Sequence, residues 1–251
     1  MEAYSDFAYV YDIFMDETPY EVWADFLYEQ LNKHGIPQGI VLDLGCGTGS
    51  LTRILAKKGY DMIGVDNSPE MLQIAMEKQE ESSSILYLLQ DMRELDLYGT
   101  VAAVVSVCDS VNYITEPKDL LNVFCLVNNY LDPQGIFIFD FNTDYKYSQV
   151  IGDTVIAENR ENCSFIWDNY YDADSRMNEY DLTVFVREQD ELFRKFEEIH
   201  YQRGYQLSEI KALLNEAGLV FVQAIDSDTR GEVTDTSERI YVIAKECGKS
   251  K

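Results

Sequence analysis

A glycine-rich turn with an acidic residue beside it is the first feature of the chain that could do chemistry. The segment Val41 to Gly49, Val-Leu-Asp-Leu-Gly-Cys-Gly-Thr-Gly, predicts a buried strand that runs into a turn and opens a helix. Gly45 and Gly47 let the main chain approach a ligand closely. Asp43 lies just before the turn, where a carboxylate can receive a ligand ammonium group and where a phosphate site would not place an anion. For the glycines alone, a tight turn that binds nothing remains the alternative.

Two further acidic residues lie where the next two strands are predicted to end. Asp66 closes Ile63-Gly-Val-Asp, and an acid at this place can accept hydrogen bonds from both hydroxyls of a ribose. Asp91 follows Leu88-Leu-Gln, so it can accept a hydrogen bond from an adenine amino group, with Met92 beside the ring. Together with Asp43, these residues predict a site for an amino acid, a ribose and a base.

A nicotinamide dinucleotide site also uses a glycine turn and a downstream acid, so this alternative needs weighing. The turn here reads Gly45-Cys-Gly-Thr-Gly-Ser50, and its sixth position is Ser where the dinucleotide pattern has Gly or Ala. This departure and the presence of Asp43 both favour a sulfonium cofactor over a dinucleotide.

The predicted fourth strand is followed by polar side chains that could border the reacting group. In an open α/β sheet the ligand crevice lies beyond the carboxyl ends of the strands, which makes Asp109, Asn112 and Tyr113 candidates. Asp109 could instead cap the turn that follows it. The segment does not read Asn-Pro-Pro-Tyr, a pattern typical of enzymes that methylate a base amino group, and this disfavours a nucleic-acid substrate.

His200 is the second of only two histidines and lies at the end of a strand-rich segment. Its intrinsic pKa suits a general base, although a lone histidine is often a hydrogen-bonded structural residue. Arg203 could face the crevice beside it, and Arg239 is a candidate partner for acidic residues of the same segment.

Short apolar runs alternate with helical stretches from Ile40 onward, which predicts a parallel sheet with helices on both faces. Thr154 to Tyr201 breaks this rhythm and predicts an inserted antiparallel sheet of roughly three or four strands. The predicted strands of the main sheet are Ile40 to Leu44, Met62 to Val65, Ile85 to Leu89, Val101 to Val107, Ile136 to Phe141, Leu219 to Ile225 and Arg239 to Ala244.

The fold class is therefore α/β, a doubly wound and mostly parallel seven-stranded sheet. We expect an amino-terminal helical cover over residues 1–38, a Rossmann-like binding domain over 39–145 and 204–247, and an antiparallel lid over 146–203. The lid is expected to determine the acceptor, because recognition residues concentrate in insertions around a rigid scaffold. Four aromatic residues could line a pocket or form the lid's own core: Phe165, Trp167, Tyr170 and Tyr171.

Composition narrows the function further. The 251 residues carry a formal net charge of -25, which disfavours general binding to nucleic acid or to anionic lipid. The five cysteines contain no CxxC pair, so we predict neither a disulfide framework nor a metal site. The amino terminus lacks a secretory pattern and no stretch is long enough to span a bilayer, so we expect a cytoplasmic protein without membrane contact.

The sequence resembles the class I S-adenosylmethionine-dependent methyltransferases. It looks closest to a group of small bacterial enzymes with an amino-terminal helical cover and an antiparallel lid inserted after the fifth strand. The matching segments span nearly the whole chain: Phe7-Ala-Tyr-Val-Tyr-Asp12, Pro19-Tyr-Glu-Val-Trp23, the glycine turn, Asp66-Asn-Ser-Pro-Glu-Met71, Gln90-Asp-Met-Arg93, Cys108-Asp-Ser-Val-Asn-Tyr113, Phe165-Ile-Trp167, His200-Tyr-Gln-Arg203 and Ser237-Glu-Arg239.

The resemblance implies roles for individual residues. Asp43 would face the cofactor's amino acid end, Asp66 its ribose, and Asp91 with Met92 its adenine. Asn67 departs from the family, which often has an apolar residue there, but it can still pack or hydrogen bond beside the base. The other residues expected at the cofactor are Tyr11, Gly45, Cys46, Gly47 and Cys108.

The predicted function is methyl transfer from S-adenosylmethionine to a nitrogen or oxygen nucleophile of a small-molecule acceptor, with S-adenosylhomocysteine as product. The catalytic candidates are Asp109, His200 and Tyr113. Two alternatives stay open at this point: a protein that binds the cofactor without turnover, and an aminopropyl transferase of the same fold.

Overall fold

The computed structural model describes residues 8–80, 83–189 and 191–249. Phe7 and the rest of the predicted cover before Ala8 lie outside the described residues, as does Asp190 of the predicted lid. The strands are β1 (Ile40–Leu44), β2 (Asp61–Asp66), β3 (Leu86–Leu89), β4 (Val101–Ser106), β5 (Leu131–Asn142), β6 (Val155–Asn159), β7 (Cys163–Asp172), β8 (Met177–Gln189), β9 (Leu192–Arg203), β10 (Leu219–Asp226) and β11 (Arg239–Glu246).

The helices occupy the predicted crossovers and the amino-terminal cover. Short 3-10 turns follow β3 at Met92–Glu94 and β4 at Ser110–Tyr113, and a π-helical turn follows β5 at Lys146–Ile151. The α-helices are α1 (Ala8–Phe14), α2 (Tyr20–Lys33), α3 (Ser50–Lys57), α4 (Pro69–Glu77), α5 (Pro117–Tyr130) and α6 (Leu207–Glu216).

The main sheet has seven strands in the order β10, β11, β5, β4, β1, β2, β3. All neighbouring pairs from β5 to β3 are parallel, and β11 runs antiparallel to both β5 and β10. The order reverses next to β1, so the carboxyl ends of β1 and β4 border a topological switch point, where such sheets bind ligands. The predicted doubly wound sheet is confirmed.

Both faces of the sheet are covered, which explains why its central strands are almost continuously apolar. Leu42 and Leu44 pack with α5 and α6 on one face, whereas Val41 packs with α2 and α3 on the other. All three side chains are at most 1% exposed. Burial on both faces fixes the carboxyl end of β1, and this end carries Asp43 and the glycine turn.

The insertion after β5 is a four-stranded antiparallel sheet in the order β6, β7, β8, β9. Its longest pairing joins β8 to β9, from Met177 opposite Arg203 to Gln189 opposite Leu192. Phe165 packs in a buried cluster with Val10 of α1, and Trp167 packs against that cluster. Tyr170 is 60% exposed. The aromatic residues of β7 thus contribute to a core shared by the lid and α1.

Candidate cofactor and acceptor site

The turn after β1 adopts backbone angles that favour glycine. Gly45 has a φ of +84°, and a Cβ atom there would lie 2.6 Å from the Ser110 Oγ. Gly47 has a φ of +53°, but nothing lies within 4 Å of the place where its Cβ would be. Gly45 is therefore required by the protein's own packing, whereas Gly47 leaves open space for a ligand.

A cavity opens at the carboxyl ends of β1 to β4. All ten residues predicted at the cofactor line it, and of the three catalytic candidates Tyr113 lines it, whereas Asp109 and His200 do not. Sequence reasoning missed Tyr20 and Ser110, which also line the cavity. The ten are Tyr11, Asp43, Gly45, Cys46, Gly47, Asp66, Asn67, Asp91, Met92 and Cys108.

Asp43 is a buried carboxylate, and its hydrogen-bond partner among the described residues is a hydroxyl. Its side chain accepts a hydrogen bond of 2.6 Å from the Thr52 Oγ1, and the residue is 2% exposed. Burial raises the pKa of Asp43 to about 7, and the nearby Asp66 adds to this rise, while the Thr52 hydrogen bond opposes it. No lysine, arginine or histidine of the described ranges forms an ion pair with Asp43. A ligand ammonium group would supply the missing positive charge.

Asp66 and Asp91 hold the strand ends around the cavity. The Asp66 carboxylate accepts hydrogen bonds from the Gly47 amide (2.8 Å) and the Ser68 amide (2.9 Å), which ties β2 to the glycine turn. Burial raises the pKa of Asp66. Asp91 caps the 3-10 turn at the Arg93 amide and pairs with the Arg93 guanidinium, whose hydrogen bonds lower the pKa of Asp91.

Helix α1 contacts the glycine turn at one position and the lid at another. Asp12 accepts a hydrogen bond of 2.7 Å from the Thr48 hydroxyl. The rings of Phe14 and Phe165 meet edge to face, with their centroids 4.8 Å apart. Tyr11 of the same helix lines the cavity and has its hydroxyl 3.9 Å from the Cys108 Sγ.

Asp109 lies at the end of β4 and is engaged away from the cavity. Its carboxylate accepts hydrogen bonds from the Gln202 amide (2.6 Å) and from Arg239 (2.9 Å). It makes no side-chain capping bond to the turn that follows. Both Cys108 and Asp109 have a positive φ, and their amides donate to the buried carboxylate of Asp140 at 3.1 and 2.8 Å.

The expectation that Arg239 pairs with acidic residues of the lid is wrong. Its guanidinium pairs with Asp109 and, at 3.5 Å, with Asp140. The reason is the register of the main sheet, because β11 runs antiparallel to β5 and Arg239 stands opposite Asn142. This pairing directs the arginine to acids near the carboxyl ends of β4 and β5.

Tyr113 and His200 meet across the boundary between the main sheet and the lid. The Tyr113 hydroxyl lies 3.1 Å from the His200 Nδ1, and the His200 Nε2 lies 3.2 Å from a carboxylate oxygen of Glu198. His200 and Glu198 are 4% and 3% exposed. Sequence reasoning missed Glu198, although residues two apart on a strand share one face, and that spacing is the available signal.

Within the part of the chain that the structure describes, no group of three or more His, Cys, Asp or Glu side chains could hold a metal ion. Over the same residues, no helix has the length and apolar character needed to cross a membrane.

A glycine turn after the first strand and acids at the ends of three successive strands define a Rossmann-like binding domain for an adenosyl cofactor. A methyltransferase-domain family matches residues 41–135, which run from β1 into β5. A Geobacillus sp. (strain WCH70) protein named as a methyltransferase is 35% identical over 246 residues, or 97% of this chain and 99% of that relative.

A solved structure and a more distant relative that resemble this chain are also methyltransferases. An S-adenosylmethionine-dependent methyltransferase from Clostridium acetobutylicum has a TM-score of 0.87 and 30% identity, and the alignment covers 98% of this chain and 100% of that one. The dTDP-3-amino-3,4,6-trideoxy-alpha-D-glucopyranose N,N-dimethyltransferase of Streptomyces venezuelae is 24% identical over 220 residues, covering 85% of this chain and 90% of that protein. The chain belongs to the S-adenosylmethionine-dependent methyltransferases.

The residues around the cavity fit S-adenosylmethionine. The cofactor carries an ammonium group, and the buried Asp43 carboxylate lacks a cationic partner among the described residues. The open space at Gly47 leaves room for a ligand beside the main chain, and the acids at the ends of β2 and β3 face the same cavity.

Proposed function

We propose that this protein transfers a methyl group from S-adenosylmethionine to a nitrogen or oxygen nucleophile of a small molecule. The observation that carries the proposal is a single cavity whose wall includes Asp43 and the glycine turn as well as Tyr113. When bound, S-adenosylmethionine supplies a methyl group on a positively charged sulfur. The chain has to align a lone pair with that group and to exclude water, and such alignment contributes about 7 to 11 kcal/mol.

The cofactor contacts that we propose follow the positions of the side chains along the cavity. Asp43 binds the ammonium group, Asp66 the ribose hydroxyls, and Asp91 the adenine amino group, with Met92 against the ring. Gly45 and Gly47 keep the main chain close to the ligand. The remaining predicted contacts are Tyr11, Cys46, Asn67 and Cys108.

A small-molecule acceptor is supported by two independent observations. The Streptomyces venezuelae relative acts, by its name, on a nucleotide-linked amino sugar. The net charge of -25 repels polyanions over the whole surface. We therefore assign the acceptor to amines or hydroxyl compounds of low molecular weight, bound between the cavity and the lid over residues 146–203. The five free cysteines support a reducing, cytoplasmic setting.

Tyr113 is the catalytic candidate that we place against the acceptor, because it lines the cavity. Its phenol oxygen is positioned to accept a proton from an amine or a hydroxyl group. Asp109 acts as a positioning residue in this scheme, since its carboxylate joins Gln202 of the lid to Arg239 of the main sheet.

Calorimetry with S-adenosylmethionine, S-adenosylhomocysteine and a nicotinamide dinucleotide tests the cofactor assignment. We expect the first two to bind and the dinucleotide not to bind. Asp66→Ala should abolish binding, whereas Asp61→Ala, at the exposed opposite end of the same strand, should leave it unchanged. Failure of both adenosyl compounds to bind the wild-type protein would overturn the proposal.

A transfer assay with methyl-labelled S-adenosylmethionine then tests the acceptor class. The panel contains a nucleotide-linked amino sugar, free amino acids, a simple phenol and a short RNA. We expect label in an amine or hydroxyl small molecule and none in the RNA; preferential labelling of the RNA would contradict the acceptor assignment. Running the same panel with the decarboxylated cofactor separates methyl transfer from aminopropyl transfer.

A further inference from the structure

The contact between Tyr113 and His200 is the first link of a buried chain of groups that leads away from the cavity. Tyr113 lies in the turn after β4 and lines the cavity, and His200 lies on β9 of the lid. Glu198 is the next link, 3.2 Å from the far nitrogen of the imidazole. The three side chains therefore run from the cavity wall along the buried face of β9.

The chemistry of these groups sets the direction of the hydrogen bonds. An ionised carboxylate only accepts, so Glu198 takes a hydrogen bond from the His200 Nε2–H. The neutral imidazole then presents its Nδ1 as an acceptor, and the Tyr113 hydroxyl donates to it. Tyr113 also lines the cavity, so the hydrogen-bonded chain begins at the cavity wall.

Among the described residues, other titratable groups lie close to this pair. Tyr180 stands opposite His200 on β8 and is 5% exposed. Gln202, on the same face of β9, binds Asp109, which in turn pairs with Arg239. The positive charge of Arg239 is thus paired with the Asp109 carboxylate. Glu198 is the acid in contact with the His200 imidazole.

We propose that Tyr113, His200 and Glu198 form a proton relay that deprotonates the acceptor. This proposal rests on the proposed function and extends it, because it assigns a role to Glu198 and requires a nucleophile that carries a proton. A proton of the acceptor amine or hydroxyl passes to the Tyr113 oxygen, and the phenol proton passes to the His200 Nδ1. The Nε2 proton stays between His200 and Glu198, so the step leaves an imidazolium beside a carboxylate.

Glu198 acts here as a positioning residue. It selects the imidazole tautomer in which Nδ1 accepts the hydrogen bond from Tyr113. It also stabilises the imidazolium after the proton has moved. Hydrogen bonds between charged partners of this kind are about twice as strong as neutral ones.

The chain suits a direct test by NMR because it contains only two histidines. His34 follows the end of α2, far from the relay in the sequence, and serves as an internal control. Long-range proton–nitrogen correlation on the full-length protein saturated with S-adenosylhomocysteine reports the tautomer of each imidazole. The spectra are recorded at about pH 8.5, where an ordinary imidazole is neutral.

We expect His200 to carry its proton on Nε2 and to show a hydrogen-bonded Nδ1. Tyr113→Phe should remove the Nδ1 hydrogen bond, and Glu198→Gln should raise the population of the other tautomer. Glu197→Gln, on the exposed opposite face of β9, should change neither signal. An Nδ1–H tautomer in the wild-type protein, or His200 signals that are unaffected by both relay variants, would overturn the proposal.

Turnover of the small molecule of the panel that accepts the label gives the second readout. Tyr113→Phe should lower kcat by about 100-fold, within the usual range for general acid–base catalysis. Glu198→Gln should lower it by about tenfold. The Kd for S-adenosylhomocysteine should change by less than about twofold in both variants, and a parallel loss of cofactor binding would indicate a structural role. Because wild-type cofactor binding is measured separately, failure of the relay and failure of the methyltransferase proposal are distinguishable.

Discussion

The two walls of the cavity are built in different ways. The wall proposed for the cofactor uses a glycine turn and acids at strand ends, and its side chains mostly bond to groups nearby in the sequence, as Asp91 does to Arg93. The wall proposed for the acceptor depends on distant partners, since the Tyr113 hydroxyl meets His200 of β9. The first wall is therefore built mainly by the parallel sheet and its turns, whereas the second also depends on the lid.

The largest expected effect concerns Asp43, on the cofactor wall. Burial raises the pKa of Asp43 to about 7 in the folded protein, whereas the unfolded chain releases this proton near the ordinary aspartate pKa of 3.8. The folded state thus binds more protons between these values, and the free energy of unfolding falls as the pH rises through this window. The shift corresponds to at most about 4 kcal/mol.

Asp43→Asn should remove this part of the pH dependence. Urea unfolding of both proteins between pH 4 and pH 8 measures it, and the wild-type curve should decline more steeply than that of the variant. Parallel curves would show that burial of Asp43 does not govern its protonation.

The next effect concerns Asp140, which supports the acceptor wall. Asp140→Asn leaves the Arg239 guanidinium with one carboxylate partner fewer and weakens the contacts to the amides of Cys108 and Asp109. Disrupting a buried ion pair costs about 3 to 5 kcal/mol. We therefore expect chemical denaturation to show a free energy of unfolding that is lower by an amount at the lower end of this range. Asp168→Asn, on the exposed face of β7, is the control. Equal stability of the two variants would contradict the assigned role.

The glycine turn offers a matched pair of substitutions. Gly45→Ala places a methyl group against Ser110, whereas Gly47→Ala places it in open space. Both residues have a positive φ, so strain of about 1 kcal/mol is common to both. The steric clash with Ser110 should lower the free energy of unfolding of Gly45→Ala by about 2 to 3 kcal/mol in total.

Calorimetry completes this comparison, because the methyl group of Gly47→Ala projects into the ligand space and should weaken S-adenosylhomocysteine binding at least tenfold, about 1.4 kcal/mol. If Gly45→Ala proves the milder change for stability, the assignment of the two glycines is reversed.

The smallest effect concerns the contact between α1 and the glycine turn. Asp12→Ala removes the acceptor of the Thr48 hydroxyl and the partner of Lys78. A partly exposed set of contacts of this kind contributes about 1 kcal/mol. We expect a three- to tenfold weaker binding of S-adenosylhomocysteine, whereas Asp25→Ala, whose partner Lys58 lies outside the cavity lining, should bind as the wild type does.

The sequence predicted the main sheet and the cofactor wall because both depend on local patterns. Apolar runs marked the strands, and Asp43, Asp66 and Asp91 follow those runs directly. The acceptor wall was harder to predict from the sequence, because the lid register decides that His200 meets Tyr113 and that Gln202 meets Asp109. The partners of Arg239 were misassigned because they depend on the register of β11 against β5, which local patterns do not show either.

The part of helix α1 that the structure describes, Ala8–Phe14, makes contacts with two other regions of the molecule. Its order depends on the Thr48 contact at one position and on the Phe165 contact at another. A coupling free energy between two sites is reciprocal, so a ligand that steadies the glycine turn favours the docked lid by the same amount that the docked lid favours the ligand. A helix that contacts both the glycine turn and the lid can in this way make donor binding and acceptor binding cooperative.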